Sequence, residues 1–417
     1  MRSPLSAVIF LAIVLLLDTY VFQAIKTVTL SVTPRTRIVV YTIFWSISVL
    51  VIAGLLVYSF ASQGFIPKQI RSYIFAIIVG LFLAKLVAVL FILLDDIRRL
   101  VTWLVVSLSE VGTKQEPGAA GEGITRSVFL SWLGLAAGGG LFSTLVYGFG
   151  NKYRYDVKKV PLHFTNLPGG FKGMKVVQIS DIHSGSLHNL KAVEKGIDLI
   201  LAQKPDMILF TGDLVNDMAI EMKEHEAHFA RLKAPLGVYS ILGNHDYGDY
   251  AYWPNNGITK AQNLENLKQV HARMGWRLLM NEHVPIERNG DKLALIGIEN
   301  WSAKARFPKH GRLDLAYQGA AEYPFKILMS HDPSHWDAQV KPAYPTIDLM
   351  LSGHTHGMQF GVEIPGFKWS PVQYMYKQWG GLYETEKQKL YVNRGFGFIG
   401  YPGRVGILPE ITVLEFV

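Results

Sequence analysis

Five short clusters of metal- and proton-handling side chains punctuate the later part of the chain: Asp181-Ile182-His183, Gly212-Asp213, Gly243-Asn244-His245-Asp246, His331-Asp332 and Gly353-His354-Thr355-His356. Carboxylate, amide and imidazole donors suit Mn, Fe or Zn bound through oxygen and nitrogen. The chain has no cysteine, which excludes a thiolate site and a disulfide scaffold. Two metal ions about 3.5–4 Å apart need one ligand in common. A carboxylate has two oxygens to share, and Asp213, standing alone after its glycine, is the best candidate. Such a pair activates a water and clamps the oxygens of a phosphate in line. A histidine outside the metal shell can protonate the leaving oxygen. His245 suits that role, with Asn244 offering an amide oxygen to a metal and Asp246 orienting His245 by a hydrogen bond.

Each cluster follows a short apolar run, at Met174–Ser180, Met207–Thr211, Gly237–Leu242, Phe325–Ser330 and Ile347–Ser352. Apolar runs of this length bounded by turn residues predict buried strands. Leu190, Val193, Ile197 and Leu201 repeat at helical spacing, and the alternation of strand, helix and strand predicts a mixed sheet covered by helices. Glu410–Phe416 alternates and reads as a closing strand. Ligands gather beyond the carboxyl ends of strands in such sheets, so five strand ends can converge on one site. An Asp-x-His or a Gly-Asp alone is an ordinary turn. All five in this order, each at a strand end, are hard to obtain by chance.

The remainder of the chain has a different character. Only 18% of the 417 residues are charged, against about 25% in soluble domains. The deficit lies in the first 150 positions, which hold 11 of the 41 Lys/Arg, 6 of the 33 Asp/Glu and none of the 13 His. This predicts a transmembrane domain over residues 1–150 with about four helices, at 5–21, 38–60, 73–94 and 128–148, each near the ~20 apolar residues a span needs. Ile97–Leu108 is too short to span and, with Arg98 and Arg99 at its start, reads as lying on the membrane surface. Gly112–Gly123 reads as a flexible loop. Lys85 and Asp18 sit inside apolar stretches, where they either snorkel or pair with each other. The net charge of +8 fits membrane-flanking residues better than a nucleic-acid surface, so no nucleic-acid partner is expected.

The five clusters over roughly residues 170–417 resemble the calcineurin-like metallophosphoesterase superfamily, whose pattern D-x-H, G-D, G-N-H-D/E, H and G-H-x-H is complete here. The resemblance implies a four-layer α/β/β/α sandwich over residues 151–417. It implies one metal on Asp181, His183, Asp213 and His356 and a second on Asp213, Asn244, His331 and His354, with His245 as acid or phosphate contact. The forms S-D-I-H, S-H-D-P and L-S-G-H-T-H-G are closest to a membrane-anchored bacterial branch that resembles UDP-2,3-diacylglucosamine pyrophosphohydrolases. Met358 stands where that branch often has glycine, with no loss of metal binding expected. Thr125-Arg126-Ser127-Val128-Phe129-Leu130 resembles a degraded twin-arginine export signal with one arginine in place of two.

The resulting expectation is a membrane-anchored dinuclear hydrolase. It would cleave a phosphodiester, pyrophosphate or phosphomonoester bond, on a lipid-linked or water-soluble substrate, in a bacterial-type inner membrane with the catalytic domain outside the cytoplasm. Lys and Arg flank the spans equally on both sides, so charge alone does not orient them. Asn244, His245 and Arg394 are the candidate substrate contacts, Arg394 because guanidinium suits phosphate; Arg404 is a weaker candidate. The aromatics of Phe367–Tyr383 suit either a membrane interface or a core. The alternative is a non-catalytic receptor or scaffold that keeps the fold, or a transporter with a regulatory domain.

Overall fold

The computed structural model describes residues 4–60, 67–109, 125–253 and 257–417. The chain divides into two compact units, Met1–Tyr147 and Gly148–Val417. The expected loop Gly112–Gly123 lies outside the described residues.

The first unit contains α1 (Pro4–Val28), α2 (Pro34–Phe60), α3 (Lys68–Ser109) and α4 (Arg126–Gly148), each long and apolar enough to cross a membrane. Helix α1 continues past the expected end at Val21, because no helix breaker intervenes before Thr33, which Pro34 holds away from the helical region. Ile97–Leu108 is no separate surface helix. It continues α3, a single helix of 42 residues, or about 63 Å at ~1.5 Å per residue. The charges that suggested a break are matched along the helix: Arg98 pairs with Asp95 at 2.8 Å and Arg99 with Asp96 at 3.8 Å. The buried Asp18 of α1 and the partly buried Lys85 of α3 form an ion pair, and Lys85 Nζ lies 5.7 Å from the Phe44 ring centroid of α2. The glycines of α4 set a close helix contact, as small residues do in membranes. A Cβ at Gly138 would strike the Ala84 carbonyl, and one at Gly134 would stand 3.0 Å from the Ala88 carbonyl.

Among the described residues the second unit has β1 (Asp156–Leu162), β2 (Lys175–Ile179), β3 (Met207–Phe210), β4 (Val238–Ser240), β5 (Arg277–Leu278), β6 (Glu282–Arg288), β7 (Asp291–Gly297), β8 (Lys326–Met329), β9 (Leu349–Ser352), β10 (Val362–Ile364), β11 (Phe367–Trp369), β12 (Gly381–Glu384), β13 (Lys389–Val392) and β14 (Glu410–Phe416). They form one sheet in the order β1-β14-β2-β3-β4-β5, a second in the order β12-β13-β9-β8-β7-β6, and a hairpin β10-β11. The run β2-β3-β4-β5 is parallel and β14 is antiparallel to β2; in the other sheet β13-β9-β8-β7 is parallel.

Strand alternation divides each sheet between two cores. Val176, Met207 and Leu209 of the first sheet meet Leu295, Ile327, Met329, Leu349 and Leu351 of the second. The opposite face of the first sheet packs Val177, Ile179 and Phe210 against Val193, Ile197 and Ile200 of α5 (Leu190–Ala202). The outer face of the second sheet packs Ile296, Leu328 and Met350 on Leu313, Trp336 and Val340. The result is the four-layer α/β/β/α sandwich. Gln178 breaks the apolar alternation of β2 for a reason. Its Nε2 crosses between the sheets to donate to the Ser352 carbonyl at 2.9 Å and to Thr211 Oγ1 at 3.2 Å, which locks the two sheets together where their strands end.

Candidate metal centre

All five clusters sit where the sequence places them, at the carboxyl ends of β2, β3, β4, β8 and β9. Two groups of donors form there. Asp181, His183 and His356 make one, and Asp213, His331 and His354 the other. Asp213 Oδ2 faces both, 3.6 Å from His183 Nε2 and 3.1 Å from His331 Nε2. In the first group His183 Nε2 lies 3.0 Å from His356 Nε2, which is 3.3 Å from Asp181 Oδ1. In the second, His354 Nδ1 lies 2.8 Å from Asn244 Oδ1 and 3.3 Å from His331 Nε2.

The backbone delivers these side chains through an uncommon conformation. Asp181, His183, Asp213, His354 and His356 have φ between 48° and 72°, the left-handed region that non-glycine residues enter at a cost and that gathers at functional sites. Backbone bonds hold them there: Asp181 N donates to the Gly212 carbonyl at 2.9 Å and His183 N to the Asp213 carbonyl at 3.1 Å. Met358, at φ 54° and exposed, also occupies this region, so a glycine would serve there equally. Gly353 is needed for space rather than for a turn, since a Cβ there would strike the Ser180 and Asp181 side chains.

Neighbours fix which atom of each ring faces the centre. His331 Nδ1–H donates to the Thr211 carbonyl at 2.7 Å, which leaves Nε2 as the lone-pair atom. His354 faces the centre with Nδ1, because its Nε2–H donates to Tyr376 Oη at 2.9 Å and Tyr376 donates onward to Asp332 Oδ2 at 3.1 Å. Asn244 presents its amide oxygen because its Nδ2 donates to Tyr250 Oη at 3.0 Å. The donor set therefore consists of lone pairs converging within about a van der Waals contact of one another, an arrangement that repels itself unless positive charge lies between. The electrostatic surroundings agree for three of the four histidines. Burial lowers His183, His354 and His356, so these rings are neutral donors. His331 is the exception: burial opposes its protonation, but the adjacent Asp213 outweighs burial and raises that ring to about 10, so a proton sits on Nε2 toward Asp213 where an ion would displace it. Burial raises Asp181 and Asp213, yet the surrounding histidines hold both below the usual carboxylate range. The residues present fit a pair of divalent cations.

Two expected roles are corrected. Asp246 does not touch the His245 ring. Its Oδ2 accepts from Asp213 N at 2.9 Å and Gly243 N at 2.8 Å, and its Oδ1 from Leu214 N at 2.8 Å and Val215 N at 3.3 Å. It ties the Gly212-Asp213 loop to the Gly243-Asn244 loop, and burial followed by the Asp213 charge pushes its carboxyl up to about 7. The His245 ring is oriented instead by the Asn216 carbonyl, 2.8 Å from Nδ1. Arg394 is no phosphate contact. Its side chain is 2% exposed and pairs with Glu410 and, at 2.6 Å, with Glu363. Arg404 is fully buried among the Arg394, Gly395 and Gly397 carbonyls.

In their place the structure brings two basic residues to the centre that sequence reading passed over. Lys304 Nζ lies 5.4 Å from the Tyr376 ring centroid, and the Arg306 guanidinium lies 4.5 Å from that of Phe307. Phe307 in turn packs edge-on against His354 at 4.7 Å. Both are exposed and make no ion pair among the described residues. The basic run Lys304–Lys309 between β7 and β8 was the available signal. Of the Phe367–Tyr383 aromatics, Tyr376 and Trp379 are core, whereas Phe367 and Tyr374 are exposed.

The calcineurin-like phosphoesterase family model matches residues 174–358, and the model described as "Probable Calcineurin-like phosphoesterase, transmembrane domain" matches residues 1–151. The UDP-2,3-diacylglucosamine pyrophosphatase LpxG of Chlamydia trachomatis is 30% identical over 279 residues, 56% of this chain and 81% of that protein. The chain belongs to the calcineurin-like phosphoesterases. A transmembrane protein with a metallophosphoesterase domain from Danio rerio is 30% identical over 64% of this chain, and the chain spans 59% of that relative's length. The metallophosphoesterase YkuE of Bacillus subtilis is 29% identical over 70% of this chain and 96% of its own. Relatives thus come from animals as well as bacteria, and the similarity is not confined to a bacterial branch. Calcineurin-like phosphoesterases use two divalent metal ions, in keeping with the two donor groups here.

Proposed function

We propose that this phosphoesterase is a membrane-anchored hydrolase of phosphodiester or pyrophosphate bonds, working through a dinuclear centre. The observation that carries the proposal is the single Asp213 oxygen facing both donor groups, at 3.6 and 3.1 Å. In this reading Asp181, His183, Asp213 and His356 hold one ion, and Asp213, Asn244, His331 and His354 the other. Two divalent ions there supply Lewis acidity to the phosphate oxygens and lower the pKa of a water nucleophile. The chain does the rest. His245 is only partly buried, and with Nδ1–H donated to the Asn216 carbonyl it keeps Nε2 for the leaving oxygen, which the doubly protonated ring would protonate, returning to the neutral Nδ1–H form. Lys304 and Arg306 bind the flanking anionic groups of the substrate. A lipid-linked substrate is favoured by the four apolar helices and by the diacylglucosamine pyrophosphatase activity for which the chlamydial relative is named. The single-arginine motif at Arg126 favours a bacterial-type inner membrane with the phosphoesterase unit outside the cytoplasm. A receptor or scaffold that merely keeps the fold would dispense with ligands, and none of the seven is lacking.

The test is hydrolysis of a chromogenic phosphodiester by detergent-purified protein, stripped of metal and then supplied with Mn²⁺. Turnover should return with metal. Asp213→Asn should abolish turnover and lower metal content while the protein still folds; unchanged turnover in that variant would refute the assignment.

A further inference from the structure

The hairpin β10-β11 is built with its polarity reversed. Its pairing sets Val362 opposite Trp369, Glu363 opposite Lys368 and Ile364 opposite Phe367, so alternation puts Val362, Ile364, Phe367 and Trp369 on one face and the charged pair on the other. In an ordinary surface hairpin the charged face meets water. Here it meets protein. Glu363 binds Arg394 at 2.6 Å and Lys158 at 3.2 Å. Lys368 donates to the Gly380 carbonyl and lies 4.8 Å from the Trp379 and Tyr383 ring centroids. The apolar face is the one turned outward, with Ile364 58% and Phe367 55% exposed. The chain then presents Tyr374, 78% exposed, and Met375 before Tyr376 enters the core and bonds His354.

The hairpin's root lies close to the point where the chain enters this unit. Gly361 N donates to the Val405 carbonyl at 2.9 Å, and Phe360 bridges Val405. Arg404, the preceding residue, donates through its backbone N to the Gly148 carbonyl at 2.9 Å and accepts from Asn151 Nδ2 at 3.3 Å. Gly148 is the residue at which the fourth apolar helix ends. The reversed hairpin therefore springs from the same backbone strip that receives the chain as it leaves that helix. Lys152 and Arg154 follow at once, cations of the kind that bind lipid headgroups.

We propose that the outward face of the hairpin, with Tyr374 and Met375, is a lipid contact that inserts into the headgroup–acyl boundary of the membrane holding the four helices. The segment runs on from that face to Tyr376 beside His354, and the substrate is then an amphiphile drawn from the lipid surface. The substrate half rests on the hydrolase reading; the lipid contact does not.

Because the chain has no cysteine, single cysteines can carry a probe on the full-length protein. Ile364→Cys and Phe367→Cys, labelled with an environment-sensitive fluorophore, are placed in vesicles of phosphatidylcholine and phosphatidylglycerol with or without lipid nitroxide. Ile220→Cys and Leu315→Cys, exposed sites on other elements, are the controls. The expected result is blue-shifted emission and loss of intensity with nitroxide at 364 and 367, and neither at 220 and 315. Water-like emission at 364 and 367, or equal quenching at all four sites, would overturn the proposal. So would disulfide cross-linking between copies at 364 without lipid quenching, which would assign the face to a second copy. None of these readouts involves turnover, so a failed lipid contact is distinguishable from a failed hydrolase reading.

Discussion

Tyr376→Phe isolates one hydroxyl that no ligand list contains. That hydroxyl accepts from His354 Nε2 at 2.9 Å and donates to Asp332 Oδ2 at 3.1 Å, so it fixes the His354 tautomer that directs Nδ1 to the centre. Partners of this kind are worth about 10–100-fold in metal affinity or activity, and a hydrogen bond to a charged group about 1.5–3 kcal/mol. The structure limits the loss, since His354 Nε2 lies 3.5 Å from Asp332 Oδ2. A small ring movement can restore a direct bond, so the expected effect is at the low end, about tenfold. The measurement is chelator competition on metal-loaded protein, read as two dissociation constants, beside turnover against Mn²⁺ concentration. The site containing His354 should weaken and the other should not, with little change in thermal stability. Asp332→Asn should act in the same direction, and the two changes together should cost less than their sum. Unchanged metal affinity in Tyr376→Phe, or a loss of stability without one, would refute the relay and leave Tyr376 as packing.

Arg394→Ala should leave Glu410 without its cation and cost about 3–5 kcal/mol of stability, the scale of a broken buried pair, with KM unchanged in whatever enzyme folds; a raised KM at normal stability would return Arg394 to substrate binding. Lys304→Gln and Arg306→Gln should each raise KM for an anionic diester about two- to fivefold, the scale of an exposed charge contact. Added salt should shrink that difference while kcat and metal content hold, and a fall in kcat alone would be inconsistent with a binding role. Lys85→Met should strand Asp18 among apolar helices and destabilise the detergent-solubilised protein, and adding Asp18→Asn should recover most of the loss in a double-mutant cycle. Additive losses would mean that the pair does not couple.

The donor groups were legible because each residue is a type with few other uses, placed where an apolar run stops. Asp181, Asp213 and His331 declare themselves by that juxtaposition, and the sandwich follows from the strands that must carry them. Their supporting partners were not legible, for a physical reason. Asp246 resembles a general-base orienter in sequence because it adjoins His245, yet adjacency along a tight turn sends the two side chains apart, and four backbone N–H groups claim the carboxylate. Arg394 and Arg404 follow the last cluster in sequence, but the sheet that receives them turns both inward onto Glu410 and onto backbone carbonyls. Lys304 and Arg306 lie far from any cluster, and only the path of the chain between β7 and β8 carries them to His354. Composition likewise revealed the apolar helices but not that α3 runs on through Asp95 and Arg98, since pairing within a helix cancels charges that counting keeps separate.

The left-handed residues show how the centre is held ready. Five of the proposed ligands have positive φ, at a cost of at least about 1 kcal/mol each, roughly 5 kcal/mol in sum. The bonds that hold them there are made within the chain. Asp181 and His183 are tied to the Gly212-Asp213 backbone, His354 N donates to the Asp181 carboxylate at 3.0 Å, and Gly353 N donates to the His331 carbonyl at 3.0 Å. Asp246 fastens the remaining loop. Each tie joins the ends of two different strands, and two of them, Gln178 to Ser352 and His354 to Asp181, join the two sheets. The strain is therefore offset by the same packing that closes the sandwich, and the geometry of the donor groups is tied to the fold. Divalent ions bound there would take the place of the His331 proton and separate lone pairs that the fold aims at one another.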